Sequence, residues 1–399
     1  MSFIANKLKA IKPSPTLAIT NQAAEMRAQG IDVISLSAGE PDFDTPDNIK
    51  AAAKKAIDDG KTKYTPVPGM AELRKAIQQK FKRDNNIEVE LDEIIVSTGG
   101  KQVIFNALFA TLNSDEKVLI PAPYWVSYPD MTRLAGGEPK IIQCGADFKI
   151  TPELLEQNIT AKTKWLILNS PSNPTGAVYS KAELIALAEI VRQHENLYVF
   201  SDDIYEHILY SEEKFYTLAE IAPDLRERIF TMNGVSKGYS MTGRRIGFGT
   251  GNKELIKMMS KVQSQSTSNA SSISQMASIE ALQGTQEFLA PNCQGFRDKR
   301  DLALELINDI PGLSCTMPAG AFYLFVKCDE LFGSKTPDGA IIANSTDLAA
   351  YLLTSAKVAL VPGIAFGVEG YFRISYATSK ELISTACTRI KTAIGNLSS

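Results

Sequence analysis

Seven short runs rich in Val, Ile and Leu recur along the middle of the chain, and between them lie segments with helical apolar spacing. The runs are IIVS at 94–97, KVLIP at 117–121, PKIIQ at 139–143, KWLILN at 164–169, LYVFSD at 197–202, IFTMN at 229–233 and IGFGT at 246–250. KAELIALAEIVRQHE at 181–195 is representative of the segments between them. A strand that is apolar on both faces must be covered on both, and strands joined through helical crossovers pair in parallel. The alternation predicts an α/β fold, a mainly parallel seven-stranded sheet with helices on both faces. From about residue 291 the pattern becomes a long helix, a strand-like AFYLFVK at 321–327, a helix near 346–356 and FRISYA at 372–377. This change predicts a second, smaller α+β domain, in keeping with 399 residues exceeding the usual size of one hydrophobic core.

Composition narrows what such a fold can bind. Lys and Arg total 42 against 45 Asp and Glu, a net charge of −3. That balance excludes a polybasic field for nucleic acid or anionic membrane and points to small molecules or another protein chain as partners. The five cysteines are scattered singly, which fits a reducing compartment better than a disulfide framework. The opening MSFIANKLKAIKPSP lacks the apolar core of a secretion signal, and no charge-free stretch is long enough to span a bilayer, so a cytoplasmic location is expected. Asn-x-Ser/Thr triplets such as Asn269-Ala270-Ser271 are then chance matches. With only two histidines, a histidine base or multi-histidine metal site has little to work with, and no metal is expected.

In open α/β sheets ligands bind beyond the carboxyl ends of the strands. Here those ends carry Gly99-Gly100-Lys101, Tyr124-Trp125, Asn169 to Gly176, Asp202 to Tyr205 and Ser236-Lys237, so five loops aim polar groups at one crevice. Lys237 sits among small residues, as a lysine that must form an imine beside a flat ring requires, though a solvated loop lysine has the same local sequence. Asp202 can keep a pyridine-type nitrogen protonated and Tyr205 can reach a ring oxygen, while aspartate at a strand end also serves as a plain helix cap. Thr98-Gly99-Gly100-Lys101-Gln102 has the form of an anion cradle at a helix N-terminus, and equally of an ordinary strand-to-helix turn. In Asn169-Ser170-Pro171-Ser172-Asn173-Pro174-Thr175-Gly176 two prolines fix the backbone, so that Asn173 points one way, a rigidity that favours a task.

Taken in order and spacing, LSAGEPDFDTP at 36–46, GKTKYTPVPG at 60–69, TGGKQ at 98–102, PAPYWVSYPDM at 121–131, NSPSNPTGAVY at 169–179, SDDIYEH at 201–207, NGVSKGYSMTG at 233–243 and FRISYATS at 372–379 resemble the fold-type I aminotransferases, most closely the bacterial subgroup of aspartate aminotransferases. The resemblance implies pyridoxal 5'-phosphate as cofactor, its aldehyde on Lys237, its pyridine nitrogen facing Asp202 and its ring oxygen near Tyr205 and Asn173. Trp125 would pack on the ring. Its phosphate would lie among Gly99, Gly100, Lys101, Ser236 and Arg245, with Tyr64 donated by the second subunit of a homodimer. Arg373 would clamp the substrate α-carboxylate beside the Gly39 backbone, its planar guanidinium suiting a bidentate task. Lys101 would receive the side-chain carboxylate, and Trp125 and Asn173 would also line the substrate site. The implied division is residues 1–47 as an N-terminal segment joining the small domain, 48–290 as the large cofactor-binding domain and 291–399 as the rest of the small domain. One departure is Arg244, where the subgroup carries tryptophan.

The implied reaction is ping-pong transfer of an amino group from L-aspartate to 2-oxoglutarate, giving oxaloacetate and L-glutamate. Prephenate as amino acceptor, giving arogenate, is the near alternative, because some relatives aminate it, and another acidic or aromatic substrate is the next. A nicotinamide dehydrogenase fails on Gly247-Phe248-Gly249, since the third glycine of that fingerprint falls at Asn252. A non-enzymatic cofactor-binding regulator is disfavoured by the complete set of lysine, aspartate and arginine.

Overall fold

A computed structural model describes residues 3–5, 8, 9, 11 and 15–398. Of the N-terminal segment 1–47, residues 1, 2, 6, 7, 10 and 12–14 lie outside the described residues, as does residue 399.

All seven apolar runs are strands of one sheet: β1 (Ile94–Ser97), β2 (Lys117–Ala122), β3 (Glu138–Gln143), β4 (Thr163–Asn169), β5 (Tyr198–Asp202), β6 (Ile229–Gly234) and β7 (Gly247–Thr250). Their spatial order is β1-β7-β6-β5-β4-β2-β3. The pairs β3/β2, β2/β4, β4/β5 and β5/β6 are parallel, and β7 runs antiparallel to both neighbours. Every residue of β1, β6 and β7 is buried, as continuous apolar runs require in a sheet covered on both sides. The covering helices bury one stripe each: in Lys181–Gln193 it is Leu184, Leu187, Ala188 and Val191, and the helix starts at a capping box between Ser180 and Glu183.

Register decides what the strand ends present. Asn169 on β4 lies directly opposite Asp202 on β5, and Asp202 lies opposite Met232 on β6, so the polar ends of the central strands stand side by side. The β5 end leads into turns, and the next helix begins only at Leu218, so Asp202 caps no helix.

A second apolar cluster is built from the C-terminal part of the chain together with Ile34 and Leu36. Its sheet is antiparallel, with β10 (Tyr371–Ser375) between β8 (Tyr323–Lys327) and β9 (Val361–Pro362). Ile34–Ser35 pairs in parallel with Val358–Ala359, and Ser375 N–H donates to Leu36 O at 2.7 Å, which leads residues 36–40 to the carboxyl ends of the large sheet. The helix expected near 346–356 is an α-helix over Ser345–Tyr351 that widens to a π-helix over Leu352–Ala356.

Candidate active site

Beyond the carboxyl ends of β1, β2, β4, β5 and β6 lies a cleft of about 570 Å³. It is walled by Lys237, Asp202, Tyr205, Trp125, Asn173 and Arg373, and Gly39, Gly100, Lys101, Ser236 and Arg245 also line it. A wider cavity of about 740 Å³ adjoins it and shares Lys101 and Arg245.

Asp202 is buried, 4% exposed, and its carboxylate accepts from the Tyr128 hydroxyl at 2.6 Å and from the Ile204 N–H at 3.3 Å. Burial pushes its carboxyl up to about 6, against the Tyr128 hydroxyl, the Ile204 N–H and the nearby Lys237. Among the described residues no cation is ion-paired with it. A carboxylate kept in the interior with only neutral donors is suited to a cationic N–H from a ligand.

Lys237 Nζ donates to Gly39 O at 2.5 Å and stands 5.8 Å from the centre of the Tyr205 ring. Burial draws its ammonium down to about 8; Glu40 opposes this, and Arg373 and Arg245 add to it. An amine so placed gives up its proton far more readily than an ordinary lysine, which suits a nucleophile and proton carrier. Tyr205 is fixed by a hydroxyl–hydroxyl hydrogen bond of 2.8 Å to Tyr323, and Gly39 must be glycine because a Cβ there would meet the Tyr323 oxygen at 2.7 Å.

Arg373, on the central strand of the small sheet, is 3% exposed. Nη1 donates to Asn173 Oδ1 at 2.9 Å and Nη2 to Ser37 O at 2.6 Å, and the guanidinium lies 4.5 Å from the Tyr323 ring centre. Its Nε is buried with no protein acceptor. Asn173 is itself set by its N–H, which donates to Asn169 Oδ1 at 2.8 Å, while Asn169 Nδ2 donates to Asp202 O at 2.9 Å. One chain of hydrogen bonds thus runs from Asp202 to Arg373.

On the β1 side, Gly99 adopts φ +87°, and a Cβ there would strike the Arg245 guanidinium. A Cβ on Gly100 would meet the Met232 sulfur at 3.1 Å. These glycines let the N-terminus of the helix Gly100–Thr111 approach Arg245 closely, a pairing of N–H groups and guanidinium with the chemistry to hold an anion such as a phosphate. Lys101 Nζ lies 4.9 Å from the Trp125 ring, and burial together with Arg245 lowers its proton affinity. Tyr64 stands apart from this cleft at 93% exposure, on a segment held by Ser272 Oγ donating to Lys61 O at 2.7 Å and Gln275 Nε2 donating to Thr65 Oγ1 at 3.0 Å. Arg244, half-buried, does not line the cleft, while Arg245 does.

Comparison with known proteins shows the family. The sequence pattern of the family described as "Aminotransferase class I and II" matches residues 31–390. The chain belongs to that family. It is 62% identical to a probable aspartate/prephenate aminotransferase of Rickettsia felis over 100% of this chain and 98% of the relative. It is 52% identical to an aspartate/prephenate aminotransferase of Cereibacter sphaeroides over 100% of both chains. The crystal structure of the aspartate aminotransferase from Rhizobium meliloti superposes with a TM-score of 0.97 at 49% identity, covering 100% of both chains. This aminotransferase is accordingly a pyridoxal-phosphate-dependent transaminase with the fold-type I architecture. The residues present fit that cofactor on three counts: a buried carboxylate without a cation, a lysine whose ammonium burial draws down to about 8, and a glycine-arginine cradle at a helix start.

Three cleft residues of this aminotransferase were not picked out by sequence reasoning. Tyr128 follows Trp125 by three residues, in the first turn of the helix Tyr128–Leu134, which brings it under the Trp125 ring at 5.3 Å and onto Asp202. That aromatic spacing was the available signal. Tyr323 looked like an ordinary strand residue of AFYLFVK. Glu40, hydrogen-bonded to Thr242 Oγ1, lies inside a segment whose resemblance drew attention only to Gly39.

Proposed function

We propose that this aminotransferase moves the amino group of L-aspartate to 2-oxoglutarate, giving oxaloacetate and L-glutamate in two half-reactions at one site. The observation that carries the reading is a single cleft lined by both Arg373, buried with an unused Nε, and Lys101, a second cation at the mouth. Two cations suit substrates with two carboxylates. The relatives' names and the acidic character this demands of the substrate point the same way.

When bound, pyridoxal phosphate supplies a protonated ring that takes up the electron pair left when the substrate Cα loses its proton. Asp202 is assigned to hold the proton on the ring nitrogen, and Tyr128 holds Asp202. Lys237 Nζ is assigned both to carry the cofactor at rest and to move the proton from Cα once substrate has displaced it. Arg373 grips the α-carboxylate, with Asn173 and Gly39 beside it. Tyr205 and Asn173 are assigned to the ring oxygen, Trp125 to the ring face, and Ser236, Arg245 and the backbone of Gly99, Gly100 and Lys101 to the phosphate, which leaves the Lys101 ammonium free for the substrate side chain. Tyr64 is assigned to the phosphate of the neighbouring subunit, which makes a homodimer the working form. Residues 48–290 are assigned to the cofactor-binding domain, with 1–47 and 291–399 as the smaller one. A reducing, cytoplasmic setting fits the five free cysteines.

Prephenate as amino acceptor is the second reading, favoured by the names of the relatives at 52–62% identity. Matched kcat/KM values for aspartate with 2-oxoglutarate and with prephenate test both; no turnover of aspartate with either acceptor overturns the proposal.

A further inference from the structure

Behind the cleft, the end of the helix Ala71–Asn85 places charged groups under the turn that follows Asp202. The Lys80 and Glu206 side chains, 1% and 3% exposed, form an ion pair. Lys80 Nζ also donates to Asn85 Oδ1 at 2.6 Å, and Asn85 Nδ2 donates to Glu206 Oε2 at 2.8 Å. His207 Nε2 lies 3.3 Å from Glu206 Oε1 and 3.9 Å from Asp84 Oδ2, buried and without a hydrogen bond. Asp84, Glu206 and His207 offer ligand atoms within 4.8 Å of one another, but the Lys80 ammonium already stands among the carboxylates as their cation, 3.8 Å from Asp84. An ion pair this deep seldom adds stability over apolar packing, so its use lies in geometry.

That geometry reaches the cleft from both sides. Glu206 and His207 directly follow Tyr205. On the far side, a Cβ added to Gly238 would lie 3.0 Å from His207 Cδ2 and 3.2 Å from its Cβ, and the ring meets Tyr239 edge-on at 5.7 Å. The imidazole therefore packs straight onto the two residues after Lys237. We propose that His207, braced by the Lys80–Glu206 pair, is a positioning residue that holds the Lys237 loop through contact with Gly238. The inference deepens the reading above and rests on Lys237 as the cofactor-holding amine. His207 is faced by Glu206, Lys80, Asp84, Arg83 and Tyr239, and Lys237 by Glu40, Arg373, Arg245 and Asp202.

The test follows the pH titration of the absorption band of the full-length protein loaded with pyridoxal phosphate, beside its thermal midpoint. His207→Ala frees the loop and Gly238→Ala drives a methyl against the ring, so each moves the titration midpoint by roughly half a pH unit or more. His207→Phe keeps a flat ring and titrates with the parent. The double variant His207→Ala/Gly238→Ala returns toward the parent, because the methyl enters the vacated space. Should His207→Ala not fold, Gly238→Ala and His207→Phe give the same reading. Unchanged midpoints with only lower thermal stability, or a double variant displaced as far as Gly238→Ala alone, overturn the proposal. Cofactor that is still fixed covalently to the chain by borohydride reduction in Lys237→Ala overturns instead the assignment of Lys237.

Discussion

The Tyr128 hydroxyl donates to Asp202 Oδ2 at 2.6 Å inside a wall where both side chains are nearly solvent-free, and it is the shortest polar contact Asp202 makes. The hydroxyl lowers the proton affinity of a carboxyl that burial has raised to about 6. Tyr128→Phe removes that opposition, so the carboxyl titrates at higher pH and the acid limb of kcat/KM for aspartate moves upward. The loss of one hydrogen bond to a charged acceptor, about 1.5–3 kcal/mol, sets a ceiling of roughly ten- to a hundredfold on the rate loss. An unmoved acid limb would separate Tyr128 from Asp202.

Lys237→Met is expected to abolish turnover and, in cofactor-free protein, to raise the thermal midpoint near pH 7. The sign follows from linkage: the folded amine titrates at about 8, below the ordinary 10.5 of a lysine, so the unfolded chain binds more protons between those values and stability rises with pH across that window. Below it the buried ammonium costs the fold its full amount, which Met removes. After discounting the lost bond to Gly39 O, the gain is on the order of 1–3 kcal/mol. Calorimetry of both proteins at pH 7 checks this; a destabilised variant refutes it.

The roles proposed for Arg373 and Lys101 divide substrate recognition between them. Every amino acid carries an α-carboxylate, so Arg373→Ala harms aspartate and phenylalanine alike, whereas Lys101→Ala depresses kcat/KM for dicarboxylic substrates alone, by roughly ten- to a hundredfold. Equal losses for acidic and neutral substrates in Lys101→Ala would exclude it as the side-chain receptor.

Acid stability offers a test away from the cleft. Burial lowers the proton affinity of His207 below its ordinary 6.5, with Glu206 opposing. The unfolded chain therefore takes a proton first, and stability is lost as pH falls through 6.5 toward the folded value. His207→Phe removes this contribution, so its denaturation midpoint falls less between pH 7 and 5.5 than the parent's. Parallel curves would show that His207 does not titrate on unfolding.

Sedimentation together with cofactor affinity tests the assembly. The chain is expected to be a dimer, and Tyr64→Phe to weaken pyridoxal phosphate binding by up to roughly tenfold, the worth of one hydrogen bond. A fully active monomer would defeat both.

The sequence by itself determined the sheet, because buried strands and amphipathic crossovers write their periods locally, and all seven runs became strands. It also determined which loops carry chemistry, since glycine, proline and polar residues clustered at strand ends are local signals. Only tertiary structure decided the partners. Tyr128 meets Asp202 across 74 positions, Tyr323 meets Tyr205 across 118, and Arg373 meets Asn173 across 200. Lys80 carries no local signal of burial, yet it lies buried under the turn after Tyr205. Periodicity states which face of an element is covered, but which side chains meet there is set by strand register and by the packing of the small sheet against the turn after β5.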